Sequence, residues 1–185
     1  MRSLAVLLVV VGACRGHAAT PPAEPLSIPT TTGPIKIDGE WDEPDWSKRA
    51  LRGQFLGDDG QLSRPSSEIR LLHDAGHVYV GLYAADDNIQ STDAFVVKLG
   101  GHQWTVYATG KSDPAVEAGA LAIDKDGTLD DPSNHDEEWI VELALPIAAT
   151  GIAATGPTAV AASRCDTPLE QPQRCTAWSG EVRLQ

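Results

Sequence analysis

From Gly33 onward the chain offers no place for a long helix, because no stretch keeps its apolar residues at helical spacing and Gly, Asp or Pro soon interrupts each apolar run. What remains is a series of short alternating segments. In His77-Val78-Tyr79-Val80-Gly81-Leu82-Tyr83-Ala84, residues Val78, Val80, Leu82 and Ala84 share one face, and from Trp139 to Leu145 the alternation puts Trp139, Val141, Leu143 and Leu145 opposite Glu142. A period of two is that of a strand with one face buried. Ile69 to His73 reaches the turn Asp74-Ala75-Gly76 and so forms a hairpin with the strand that follows; Phe95 to Leu99 and Trp104 to Ala108 form a second across Gly100-Gly101-His102. Ala120 to Ile123 runs into another turn, Ile147 to Gly156 reads as a loop or a single helical turn, and Thr158 to Arg164 and Ala177 to Leu184 close the fold. Such strands bury their apolar faces only if two sheets stack, which predicts an all-β, antiparallel β-sandwich of jelly-roll type.

The beginning of the chain has another character. Met1-Arg2-Ser3 is a short charged head, Leu4 to Val11 is apolar and Gly12-Ala13-Cys14 is small, the layout of a secretory signal over residues 1–16, too short for a membrane span. Val11-Gly12-Ala13-Cys14 resembles the bacterial lipobox, in which the cysteine becomes the lipidated first residue of the mature chain; cleavage near Ala18-Ala19, which discards Cys14, is the alternative. Either route exports the protein to the periplasm or cell surface, and the first anchors it to the membrane through Cys14. Residues 17–32 are rich in Pro, Thr and Ala and read as an extended tether, leaving residues 33–185 as one folded domain.

A net charge of -12 argues against nucleic acid and anionic membrane as partners. The acidic residues fall in turns, among them Asp58-Asp59, Asp86-Asp87, Asp130-Asp131 and Asp136-Glu137-Glu138, as solvated loops would have them. Asp86, Asp87 and Asp93 also bring hard oxygen donors close together in sequence, the type that calcium prefers. Asp124-Lys125-Asp126-Gly127 has part of the look of a calcium loop, but Ala122 and Ser133 stand where its first and last ligands belong; it reads as a plain turn. Three cysteines suit an exported chain: Cys14 at the lipidation position, and Cys165 with Cys175 able to pair in an oxidising compartment. A cross-link closing so short a loop contributes about 2–3 kcal/mol.

Several motifs, taken in order, resemble those of the family 9 carbohydrate-binding modules. Ile37-Asp38-Gly39-Glu40-Trp41-Asp42-Glu43-Pro44-Asp45-Trp46 is similar to the family's opening signature, Ile69 to Ala84 to its second hairpin, Glu138-Trp139-Ile140-Val141-Glu142-Leu143-Ala144-Leu145-Pro146 to its late strand, and Trp178-Ser179 to its closing segment. The resemblance runs from Pro34 to Leu184 and implies a β-sandwich, binding without catalysis, a carbohydrate ligand and a structural calcium. Trp46 and Trp139 read as core, and Trp41, where the family has a smaller aliphatic residue, as half exposed.

Sugar binding needs flat aromatic faces together with polar groups that reach hydroxyls. The positions equivalent to the family's sugar-binding residues fall among Gln90 to Thr92 and at Val96, Thr105 and Tyr107, where its residue types are absent. The remaining aromatic candidates for a ligand platform are Trp104, Tyr107, Tyr83 and His102. Nothing in the sequence has the pattern of a nucleophile elbow, a zinc-protease helix or a phosphate loop, so a non-catalytic module is expected. An adaptor that docks a protein partner in the cell envelope is the alternative.

Overall fold

The computed structural model describes residues 24–166 and 172–185. The expected signal segment, the lipidation position Cys14 and the first part of the expected tether lie outside the described residues.

The strands are β1 (Leu26–Ile28), β2 (Leu51–Gln54), β3 (Ser67–His73), β4 (His77–Ala85), β5 (Ala94–Leu99), β6 (His102–Tyr107), β7 (Ser112–Asp113), β8 (Leu121–Asp126), β9 (Glu138–Pro146), β10 (Thr158–Asp166) and β11 (Arg174–Leu184), with short helices α1 (Pro44–Lys48) and α2 (Ile147–Thr150). Among the described residues, one sheet has the order β1-β11-β10-β5-β6-β7 and the other β2-β3-β4-β9-β8. Every named pairing is antiparallel except β1 with β11.

The two sheets stack, and the alternating residues read from the sequence form the layer between them. Phe95, Val97, Leu99, Trp104, Val106 and Val160 enter it from one sheet; Ile69, Leu71, Val80, Leu82, Trp139, Val141 and Leu143 enter from the other. The β3–β4 turn is held by Asp74, whose Oδ1 accepts from the backbone N–H groups of Gly76 and His77 at 2.7 Å each, while Oδ2 accepts from the Tyr79 hydroxyl at 2.7 Å. Trp178 faces inward against Gly53, where an added Cβ would collide with the indole.

The boundary at residue 33 is corrected. Leu26–Ile28 pairs in parallel with Val182 to Leu184, and Ile28 is fully buried in the main core. One isoleucine flanked by prolines is enough to seal a sheet edge, although the composition of 17–32 suggests a segment without a core. The domain therefore includes at least the latter part of that segment.

A second apolar layer lies on the outer face of the β2-β3-β4-β9-β8 sheet. The segment carrying the Ile37 to Trp46 motif folds back over it, packing Trp46, Leu72 and Tyr79 with Ile35, Ile37, Trp41, Ala50 and Ala144. Its centre is Glu142 of β9, which is fully buried. Glu142 Oε2 accepts from the backbone N–H groups of Asp38 at 3.0 Å and Gly39 at 2.9 Å, and Oε1 accepts from Trp46 Nε1 at 2.8 Å. The opening motif and the late-strand motif are thus two halves of one hydrogen-bonded unit. Gly39 has φ 93°, and a Cβ there would press on the backbone of Ile123 and Asp124, so glycine is required at the turn.

Candidate functional site

Three carboxylates meet at one end of the sandwich. Asp86 follows β4, Asp93 precedes β5 and Asp166 ends β10; all three are buried, and each has an oxygen within 4.8 Å of the others. Arg164, also buried, joins them. Its Nη2 donates to Asp86 Oδ2 at 2.6 Å and lies 3.1 Å from Asp166 Oδ1, while Nη1 donates to the carbonyl of Ala85 at 3.1 Å. Trp139 Nε1 donates to Asp86 Oδ2 at 3.2 Å.

Burial pushes the Asp93 carboxyl up to about 7, with the charges of Asp86 and Asp166 adding to the shift and the Gln90 N–H and Arg164 opposing it. The Arg164 guanidinium thus stands among three acids in a desolvated space. Clustered hard oxygen donors of this kind suit a divalent cation such as calcium, although Arg164 already occupies part of the space an ion would share. Of the expected ligands Asp86, Asp87 and Asp93, the fold brings together the first and third. Asp87 is exposed and outside the cluster, and Asp166 takes the third place. Asp166 lies far along the chain from the other two, and only the β5–β10 pairing, in which Cys165 faces Ala94, brings it beside Asp93.

The loop between Asp86 and Asp93 is latched by acids from the loop before β9. Asp136 accepts from the N–H groups of Ile89 at 2.7 Å and Thr128 at 2.8 Å, and Asp130 accepts from Ser91 N–H at 2.9 Å. These acidic turn residues are internal acceptors. Cys165 and Cys175, register partners on β10 and β11, form the expected disulfide.

The four aromatic candidates do not form a platform. Trp104 is buried in the core, whereas Tyr107 has the opposite parity on β6 and lies on the outer face of that sheet. His102 is exposed at the start of β6, its ring 6.1 Å from that of Trp104. Tyr83 belongs to the other sheet, on the face away from the core, 6.3 Å from Trp41. The strand period sends Trp104 and Tyr107 to opposite faces of β6, burial in the core takes Trp104 from its neighbour His102 as a ligand surface, and Tyr83 lies on the other sheet. Val96 and Thr105, which the sequence resemblance sets against sugar-binding positions, are register partners across β5 and β6, and Tyr107 is the sole aromatic residue on the outer side of that hairpin.

A cleft of about 790 Å³ opens between the loop after β2 and the start of β11, lined by Asp58, Asp59, Gln61, Arg64 and Gln173 among others. Among the described residues, no aromatic side chain lines it.

No family model matches the chain, and no curated protein matches it. Solved structures do. A family 9 carbohydrate-binding module from Caldicellulosiruptor kristjanssonii in complex with cellotriose matches with a TM-score of 0.58 at 11% identity, over 88% of this chain and 94% of that one. A family 9 module from the same organism in complex with glucose matches with a TM-score of 0.49 at 12% identity, over 86% of this chain and 95% of that one. The likeness is one of fold: this chain folds as a β-sandwich similar to that of the first of these modules.

Proposed function

We propose that this protein is a non-catalytic carbohydrate-binding module, exported and anchored outside the cytoplasm through a lipidated Cys14. The observation that carries this reading is the match, along nearly the whole sandwich, to a fold whose solved example holds cellotriose. The motif order from Ile37 to Trp178 supports it. Calcium has a structural part in the reading: Asp86, Asp93 and Asp166 would hold the ion as hard oxygen donors.

Titration of the full chain against soluble oligosaccharides and retention on immobilised polysaccharides test the binding. Saturable affinity for a sugar is expected; failure across a broad glycan panel overturns the carbohydrate reading. Lipidation is tested by mass spectrometry of the membrane-extracted protein, where Cys14→Ser should abolish the lipid adduct and release the protein from the membrane fraction.

A second reading, an envelope adaptor that docks a protein partner, is favoured by one feature: Val96 and Thr105 stand where the family resemblance places sugar-binding residues. Saturable sugar binding removes the need for it.

A further inference from the structure

The Cys165–Cys175 disulfide lies on the outside of the sheet, one residue away from buried charge. Along β10 the alternation turns Cys165 outward, where it is exposed, and turns its neighbours Arg164 and Asp166 inward, where both are buried. Cys175, its register partner on β11, is exposed as well. On the other side Cys165 faces Ala94 of β5, a residue with a single methyl group. The cleft of about 790 Å³ beside the loop after β2 reaches Cys175 and Thr176, so a second molecule has a path to the sulfur. Among the described residues that line it, Arg64 and Arg174 offset Asp58 and Asp59, and no net charge opposes an approaching thiolate.

The β10–β11 ladder has one rung beyond this bond, Asp166 with Arg174, and the ends of elements are the first parts of a fold to open. The disulfide therefore pins the end of the ladder that sets Asp166 beside Asp86 and Asp93. Arg164 Nη2 lies between Asp86 Oδ2 at 2.6 Å and Asp166 Oδ1 at 3.1 Å. Asp86 in turn accepts from the Asn88 N–H through Oδ1 at 3.0 Å and from Trp139 Nε1 through Oδ2 at 3.2 Å. A change at the exposed bond thus has a short route to the buried acids.

We propose that Cys165–Cys175 is a reversible thiol–disulfide exchange site whose reduction loosens the Asp86, Asp93 and Asp166 cluster. The co-reactant is a dithiol. One of its sulfurs, as thiolate, attacks Cys175 Sγ from the cleft; a new S–S bond joins it to Cys175, the Cys165–Cys175 bond breaks, and the electron pair leaves on Cys165 Sγ, which takes up a proton. The second thiolate then attacks the dithiol's first sulfur in the mixed disulfide and releases Cys175, which is protonated in turn. The protein gains two electrons and two protons, and the dithiol that loses them ends as a disulfide. Such exchange depends on access to the sulfur, which the exposure of both cysteines and the cleft supply. With the bond cut, the last rung loses its covalent support and opens more often, carrying Asp166 away from Arg164 and slackening the hold of Arg164 on Asp86. The site acts independently of what the sandwich binds.

The test uses the full chain with Cys14→Ser, which leaves Cys165 and Cys175 as its only cysteines. In dithiothreitol without denaturant, followed by alkylation and mass spectrometry, the bond should be reduced at a rate proportional to dithiol concentration, and oxidised dithiothreitol should restore it. A rate that levels off with dithiol, the mark of a bond reached only after the chain opens, overturns the exchange site. Coupling is read by NMR in the reduced, folded chain. The Asn88 amide should exchange at least tenfold faster than in the oxidised chain and the Trp139 indole N–H signal should shift, while the Gly39 amide, held by Glu142 on the outer face of the other sheet, keeps its rate. An unchanged Asn88 amide, or equal acceleration at Gly39, overturns the coupling, as does unfolding of the chain on reduction. The double variant Cys165→Ser with Cys175→Ser should reproduce the reduced pattern; if it does not fold, the reduced chain carries the measurement.

Discussion

Glu142 shows how one side chain can explain two sequence motifs. It sits on the polar side of an otherwise regular alternation in β9, where a solvent-facing acid would be unremarkable, yet it is fully buried and accepts three N–H donors from Asp38, Gly39 and Trp46. Burial pushes its carboxyl from the usual 4.5 up to about 7, against the pull of those donors. The folded state therefore binds a proton more tightly than the unfolded chain. The stability linked to that proton is present in full below pH 4.5 and is lost as the pH rises through about 7. Glu142→Gln is expected to remove this decline, leaving a flatter stability curve between pH 5 and 7 in urea denaturation followed by circular dichroism. Glu142→Ala orphans two backbone donors and an indole N–H, and is expected to cost about 3 kcal/mol or more. Equal pH slopes in the wild type and Glu142→Gln would show that this carboxyl does not titrate in the window.

At the scale of elements, the internal strands were legible and the first was not. The runs at Val78 to Ala84 and Trp139 to Leu145 alternate because one face of each is buried, and β4 and β9 pair with each other in the fold. β1 has three residues and lies among prolines, so no period could announce it. Its place comes from Val182 to Leu184, which offer a free edge to a parallel neighbour. A chain shortened to begin at Gly33 loses Ile28 from the core and exposes the edge of β11. Burial of an isoleucine contributes about 1.5–3 kcal/mol, and the shortened chain is expected to be less stable by at least that amount, measured as the free energy of urea unfolding against the full chain. An unchanged value would mean that β1 adds nothing to the stability of the sandwich.

At the scale of the whole molecule, the Asp86, Asp93 and Asp166 cluster ties the two sheets together at one end. Arg164 reaches from β10 to Asp86 and to the Ala85 carbonyl at the end of β4, across the gap between the sheets. If calcium joins this cluster, it binds the folded state alone, so the melting temperature should rise with calcium and fall with a chelator. Asp93→Asn and Asp166→Asn should each abolish the calcium response, whereas Asp87→Asn should preserve it. A chelator-insensitive melting temperature in the wild type would show that calcium is no part of this cluster. The two acids shared by expectation and structure, Asp86 and Asp93, flank one loop, which is why the sequence could suggest them. Asp166 carries no signal beyond its place beside Cys165.

The sequence by itself determined the class of fold, the two central hairpins, the disulfide partners and the core roles of Trp46 and Trp139. Each of these follows from local chemistry: a period of two, turn residues at fixed offsets, or a pair of cysteines within reach of one another. Tertiary structure alone decided how Trp104, Tyr107, Tyr83 and His102 are dispersed over two sheets, that Glu142 is an internal acceptor, that Asp166 completes the acid cluster, and that Trp41 lies beside Tyr83. Those relations depend on sheet register and on the path of the segment folded over the outer face, and register joins residues whose separation along the chain leaves no local trace.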